Sequence, residues 1–202
     1  MHHNTIALDI VLFPPEEIAK EAKSYNEELL QQNPAGLCLD ATHLPHMTLM
    51  QLYANSEKLP DIVDSIRTIS HQFQALPLRI NGIKGIALEN ERAFFLTLDP
   101  QPELFRLHRD LMNKLQTYEV ATDAKAFLLD ADEEARPSTL AYTKNFREQV
   151  SFDHFDPHIT IGTGEQIDFR NPMEFLASQL AICHLGNFNT CRKILWETQL
   201  GR

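Results

Sequence analysis

"HMTL" occupies residues 46–49 and "HITI" occupies residues 158–161. Both read His, apolar, Thr, apolar. In a strand, residues two apart share a face. His46 and Thr48 therefore lie together, while Met47 and Leu49 point the opposite way into a core. His158 and Thr160 form a second such pair, backed by Ile159 and Ile161. A proline, Pro45 or Pro157, stands just before each histidine. Two strands of this kind, facing one another across a cleft, would converge two imidazoles and two hydroxyls.

The surrounding chain is mixed α and β. Residues 5–13 read as a strand. Pro14 and Pro15 then open a helix with Glu16 and Glu17 in its first turn, where negative charge suits the helix dipole. Ile18, Ala22, Tyr25 and Leu29 form its apolar stripe, and "NPAG" at 33–36 stops it. The first motif begins a strand over 46–54, followed by a helix over 57–73. Strands over 77–88 and 92–99 come next. A helix over 102–118 follows, with Asp99 as its cap and with Leu104, Leu107, Leu111 and Leu115 on its core face. Residues 119–135 are acidic and aperiodic, and read as an inserted, solvated loop. A helix over 137–150 precedes the second motif strand, 155–163. Asn171-Pro172 read as the cap and first position of another helix, and strands over 180–188 and 192–200 close the chain. The 202 residues suit a single domain, residues 1–202, in two lobes.

The formal net charge is −10, with no block of Lys and Arg. Long nucleic acid is usually bound through a basic face, so the charge points to a small nucleotide or a short RNA end, not a long duplex. No apolar run approaches the ~20 residues that span a bilayer, so no membrane partner is expected. "TIALDIVLFPP" at 5–15 is short, carries Asp9 and ends in prolines, which marks a buried strand and not a signal peptide. The three cysteines, Cys38, Cys183 and Cys191, are odd in number and unclustered. They read as reduced core thiols of a cytoplasmic protein, expected to be a monomer.

Two imidazoles and two hydroxyls suit phosphodiester chemistry. With a pKa of ~6.5, one ring accepts a proton while the other donates one near neutrality. The hydroxyls of Thr48 and Thr160 would bond the non-bridging phosphate oxygens. The scheme requires neither a metal nor a cofactor.

The paired motifs resemble those of the 2H phosphoesterase superfamily, the 2′-5′ RNA ligase-like and RNA 2′,3′-cyclic phosphodiesterase proteins. "FDPHITIG" is similar to the usual frame of the second motif. "LRINGIKGIALENERAFFLTLDPQPELFRLHRDL" resembles the central portion of these proteins: strand, short turn, strand, helix. The resemblance covers roughly residues 5–165. It implies an α+β, two-lobed, pseudo-symmetric fold of antiparallel sheets flanked by helices, with a central cleft. It implies catalytic roles for His46 and His158, phosphate contacts from Thr48 and Thr160, and opening of 2′,3′-cyclic phosphates or cleavage of 2′-5′ linkages. The chain departs from the family where many relatives carry an arginine after the second motif; here Gly162-Thr163-Gly164 stand. The 119–135 segment also lacks a counterpart.

Two alternatives use the same residues. One is a non-catalytic module that holds a nucleotide or RNA end on this fold. The other is a metal-dependent hydrolase using His43 with His46, or His154 with His158. Against the latter, Pro157 disfavours a helix, and on a strand His154 and His158 stand ~13 Å apart. His43 and His46, three apart, would face oppositely. Phe155 and Phe95 are candidates for stacking on a base. Only one of Phe94 and Phe95 can face a ligand. Lys84, Arg92 and Arg136 are candidate phosphate-steering groups, and Tyr53, seven residues after His46, should face away unless a bulge intervenes.

Overall fold

The computed structural model describes residues 4–88 and 91–201. Among them, eight strands make one antiparallel sheet. They are β1 (Thr5–Phe13), β2 (Met47–Asn55), β3 (Leu76–Ala87), β4 (Arg92–Leu98), β5 (His158–Gly164), β6 (Met173–Ala177), β7 (Gln179–Leu185) and β8 (Cys191–Gln199). The order across the sheet is β6-β3-β4-β5-β2-β1-β7-β8. Four strands thus lie on each side of the β5–β2 junction. Four helices accompany them among the described residues: α1 (Glu16–Gln32), α2 (Leu59–Ser70), α3 (Pro102–Leu115) and α4 (Pro137–Gln149). The expected turn between β3 and β4 includes residues 89–90, which lie outside the described residues.

Burial follows the sequence periodicities. The stripe of α1 is buried, as are Ile62, Ile66 and Ile69 of α2 and the four leucines of α3. All join one core with Met47, Leu49, Ile159 and Ile161. Strand β1 is buried from Ala7 to Phe13 and, apart from Asp9, apolar over that stretch because both its faces are covered. Leu8, Ile10 and Leu12 enter that core. On the opposite face Ala7 packs with Tyr53, Phe127 and Leu185, and Val11 and Phe13 pack with Cys183 and Cys191.

Four local expectations are corrected. Cys183 and Cys191 are not reduced thiols; they form a disulfide across the β7–β8 hairpin, and Cys38 is exposed. The pairing removes the thiol argument for a cytoplasmic setting. Asn171-Pro172 lead into β6, not a helix, because Phe175 and Ala177 alternate inward with period two. Gln101, not Asp99, caps α3, its side-chain oxygen accepting from the Leu104 N–H. The 119–135 segment is not simply solvated: Ala126 and Phe127 are buried against Ala7 and Tyr53. No helix among the described residues is long and apolar enough to cross a membrane.

The two halves share an irregularity at the motifs. On β2 the register passes from Thr48↔Val11 to Met50↔Ile10, leaving Leu49 unpaired. On β5 it passes from Thr160↔Phe95 to Gly162↔Phe94, leaving Ile161 unpaired. Each motif therefore ends in a bulge at its fourth residue, where a backbone carbonyl loses its ladder partner. Each carbonyl is taken by a buried helix side chain. Asn26 of α1 donates to Ile161 O at 2.9 Å. His108 of α3 donates from Nδ1 to Leu49 O at 2.6 Å, and its Nε2 accepts the Phe152 N–H at 2.9 Å. Gly162, at φ +130°, is required at its bulge because a Cβ there would lie 2.8 Å from the Asn26 amide nitrogen.

Burial holds His108 neutral, pulling its pKa from 6.5 to about 4. The unfolded chain binds a proton at pH 6.5 that the folded protein refuses until about pH 4. Stability from this group is therefore intact above pH 6.5 and lost as pH falls from 6.5 to 4. At 1.36 kcal/mol per unit the loss is on the order of 3 kcal/mol. Urea unfolding at pH 7 and pH 4 should show a larger acid-induced loss in the unaltered protein than in His108→Gln. Equal losses would contradict the assignment.

Candidate active site

The halves join through one antiparallel pairing, Met47↔Ile159. That register sets His46 beside Thr160 and Thr48 beside His158. All four lie on the face opposite the buried Met47 and Ile159, and such cross-strand neighbours have Cβ atoms ~4.5–5.5 Å apart. The motifs thus meet edge to edge within one sheet, instead of facing one another across a gap between sheets.

Both imidazoles are anchored alike. Nδ1 of His46 donates to Leu44 O at 2.7 Å, and Nδ1 of His158 donates to Asp156 O at 2.7 Å. A carbonyl only accepts, so Nδ1 carries hydrogen in both rings and Nε2 is the nitrogen not held by the backbone. Each anchor lies two residues back, across the proline noted in the sequence. The fixed φ of that proline constrains the chain leading from the anchor carbonyl to the ring.

The environments then diverge. His46 Nε2 lies 3.4 Å from Oδ2 of Asp9, a fully buried carboxylate on β1. Burial alone would lower the His46 pKa, but the bond and charge of Asp9, together with the Leu44 carbonyl, outweigh it and raise it. The pKa of His158 is lowered: burial dominates over the carbonyl and charge of Asp156, and the charges of His46 and Lys84 push the same way as burial. Burial pushes the Asp9 carboxyl up, against the opposing bonds and charge of His46, Thr48 and Gln51.

The hydroxyls differ too. Thr48 donates to Asp9 Oδ2 at 2.9 Å, which commits its only hydrogen. Thr160 makes no side-chain hydrogen bond among the described residues and keeps its hydrogen for a ligand. The Thr97 and Phe95 positions flank His158 and Thr160 on β4, and the Phe95 ring meets the His158 ring edge-on at 4.6 Å. Phe155 is not offered to a base; it is buried, with its ring stacked on His108 at 3.9 Å. Phe94 is buried. The bulge at Leu49 brings Tyr53 onto the Asp9 face, but its ring packs on Phe127, away from the motif. Lys84 stands beside Phe95 and pairs with Asp156 at 2.7 Å. Arg92 lies over Phe94, and Arg136 lies over Phe188 and 3.9 Å from Glu91. His43 donates to Asp40 and accepts from Arg192, while His154 is exposed.

Residues that the sequence did not single out complete the site. Gln51 donates to Asp9 Oδ2 at 3.0 Å. Its own oxygen accepts from Thr143 of α4 and from Asn189, which sits in a left-handed pair with Phe188. The phenol of Tyr142 on α4 is shifted up by burial and by the charges of Asp9 and Asp156. Only Asp9 left a trace in the sequence, as a lone charge in an apolar strand.

A family model described as the 2′-5′ RNA ligase superfamily matches residues 14–181. The chain belongs to that superfamily. TT0787 of Thermus thermophilus has the same fold, with a TM-score of 0.65 at 17% identity over 97% of this chain and 98% of that one. Escherichia coli LigT complexed with phosphate has a TM-score of 0.53 at 15% identity over 98% and 99%. LigT complexed with 3′-AMP has a TM-score of 0.52 at 14% identity over the same shares. No curated protein sequence matches the chain.

The anchoring predicts the Nδ1–H tautomer for the neutral form of His158. Nitrogen-15 NMR of histidine-labelled protein above the His158 midpoint should show Nδ1 protonated and Nε2 bare. The opposite tautomer would contradict the carbonyl anchor.

Proposed function

We propose that the protein is a phosphodiesterase that opens 2′,3′-cyclic phosphates of RNA ends or nucleotides, or cleaves a related 2′-5′ linkage, by paired-histidine acid–base catalysis. The observation that carries this reading is the pair of rings with matching Nδ1 anchors and opposite pKa shifts on one sheet face. Membership of the superfamily supports the reaction class. The phosphate and 3′-AMP complexes of LigT support a nucleotide phosphate as ligand.

The two environments divide the roles. His158, poor in affinity for a proton, is the base: its Nε2 takes a proton from water as the water oxygen bonds to phosphorus. His46, which holds its proton, is the acid: its Nε2–H protonates the ribose oxygen as the P–O bond breaks. One proton enters the pair and one leaves it, so the site returns to its starting charge after the two exchange a proton with solvent. Thr160 donates to a non-bridging oxygen, where charge gathers. Thr48 reaches the phosphate only by releasing Asp9. Phe95, against His158, is the aromatic surface available to a base.

The test is hydrolysis of the four nucleoside 2′,3′-cyclic monophosphates, a short RNA ending in a cyclic phosphate, and a 2′-5′ oligoadenylate, with chelator present and products separated by chromatography. Turnover is expected, with at least about a hundredfold loss in His46→Ala and in His158→Ala. Thr160→Val should lose about tenfold, the scale of one hydrogen bond to a charged group. Full rate in both histidine variants would refute the mechanism. Silence on every substrate by the folded protein would favour a nucleotide-binding module.

A further inference from the structure

Asp9 is the one buried side chain among the described residues with an unpartnered polar atom, its Oδ1. Its other oxygen, Oδ2, faces Thr48 Oγ1 at 2.9 Å, Gln51 Nε2 at 3.0 Å and His46 Nε2 at 3.4 Å. A carboxylate with no exposure is costly unless its charge is met. We propose that Asp9 is a positioning residue of the site: its carboxylate holds a proton on His46 Nε2 and so makes the first histidine, not the second, the proton donor. The proposal rests on the two-histidine reading above.

The location of the proton follows from the bonds. Gln51 cannot present its oxygen to Asp9, because that oxygen accepts from Thr143 at 2.9 Å and Asn189 at 3.0 Å. Its NH2 must therefore point at Oδ2. Gln51 and Thr48 both donate to Oδ2, which favours the charged carboxylate there. A proton on Oδ1 would find no acceptor among the described residues. The shared proton therefore sits on His46 Nε2, and since Nδ1–H already donates to Leu44 O, the ring is an imidazolium. The 3.4 Å contact is longer than the two neighbouring bonds, so the Nε2 proton is held without being locked to Asp9.

The groups packed around the pair leave it this role. On β2 they are His46, Thr48 and Gln51. On β7, Cys183 stands opposite Asp9, disulfide-bonded and unable to titrate. From α4, the phenol of Tyr142 is held neutral, its pKa raised by burial and by the charges of Asp9 and Asp156. From β5, His158 lies close enough for the charge of His46 to lower its pKa. Among the described residues, His46 is the only ion-pair partner of Asp9.

The other half lacks such a group. The matching bulges equate Val11 with Phe95, Ile10 with Phe94 and Asp9 with Ala93. A methyl group stands where the first half has a carboxylate. Two nearly mirrored histidines are thereby given opposite tasks by one residue.

The test compares the unaltered protein with Asp9→Asn by nitrogen-15 titration of histidine-labelled samples, and by kcat/KM against pH on a nucleoside 2′,3′-cyclic monophosphate. In Asp9→Asn the His46 midpoint should fall by about one pH unit or more, with that of His158 nearly unmoved. An acid must be protonated, so the alkaline limb of the rate profile should move down with it, and kcat/KM at about pH 7.5 should fall about tenfold. A structural role alone would lower the rate without moving midpoint or limb, and an unmoved His46 midpoint would overturn the proposal. If Asp9→Asn does not fold, the unaltered protein decides: both His46 nitrogens should be protonated at that pH, and a bare Nε2 would overturn it. The titration needs no substrate, so absence of turnover would count against the proposed function and not against the Asp9–His46 pair.

Discussion

One backbone pairing, Met47 with Ile159, holds the two halves of the sheet in register. Everything on the site face depends on it. A slip of one residue would turn every side chain of one motif to the other face. What resists the slip is the back face, where Met47, Leu49, Ile159 and Ile161 are fully buried in a common core. Full burial of side chains of this size contributes about 1.5–3 kcal/mol each. The apolar letters of each motif thus fix the register, and the polar letters inherit their placement from it.

The halves answer each other in detail. Each has a motif strand, a proline before the histidine, a carbonyl under Nδ1, a bulge at the fourth motif residue and a buried helix side chain on the carbonyl that the bulge frees. Those side chains differ, Asn26 in one half and His108 in the other, yet the same physical demand selects them: a buried carbonyl requires a donor. The glycines after the second motif follow from the same packing. Gly162 and Gly164 let α1 approach, since a Cβ on either would collide with Asn26 or Leu29. A side chain at Gly162 would in addition have to adopt φ +130°, which L residues rarely do. Where the halves stop matching, at Asp9 against Ala93, the pKa values of the two histidines shift in opposite directions.

The sequence made the motif strands legible because period two and the apolar backing are local signals. The helix stripes were legible for the same reason, and so was the α+β order. What stayed hidden depends on long-range contact. The bulges at Leu49 and Ile161 reverse the alternation after each motif, and only this brings Gln51 onto Asp9. Phe155 looked available for a base because nothing in its neighbourhood reveals that His108, on a distant helix, stacks on it. The Cys183–Cys191 bond depends on hairpin register, which an unclustered spacing does not display. Asn171-Pro172 carried a helix-start signal that was overridden by the pairing of β6 with β3.

The most direct test of the central claim, that both histidines serve one phosphate on one sheet face, is a crystal structure of the protein soaked with inorganic phosphate. A phosphate should bridge the Nε2 atoms of His46 and His158, with Thr160 Oγ1 within hydrogen-bond reach of its oxygens. A phosphate held by only one of the two rings, or bound elsewhere while this face stays free, would contradict that claim.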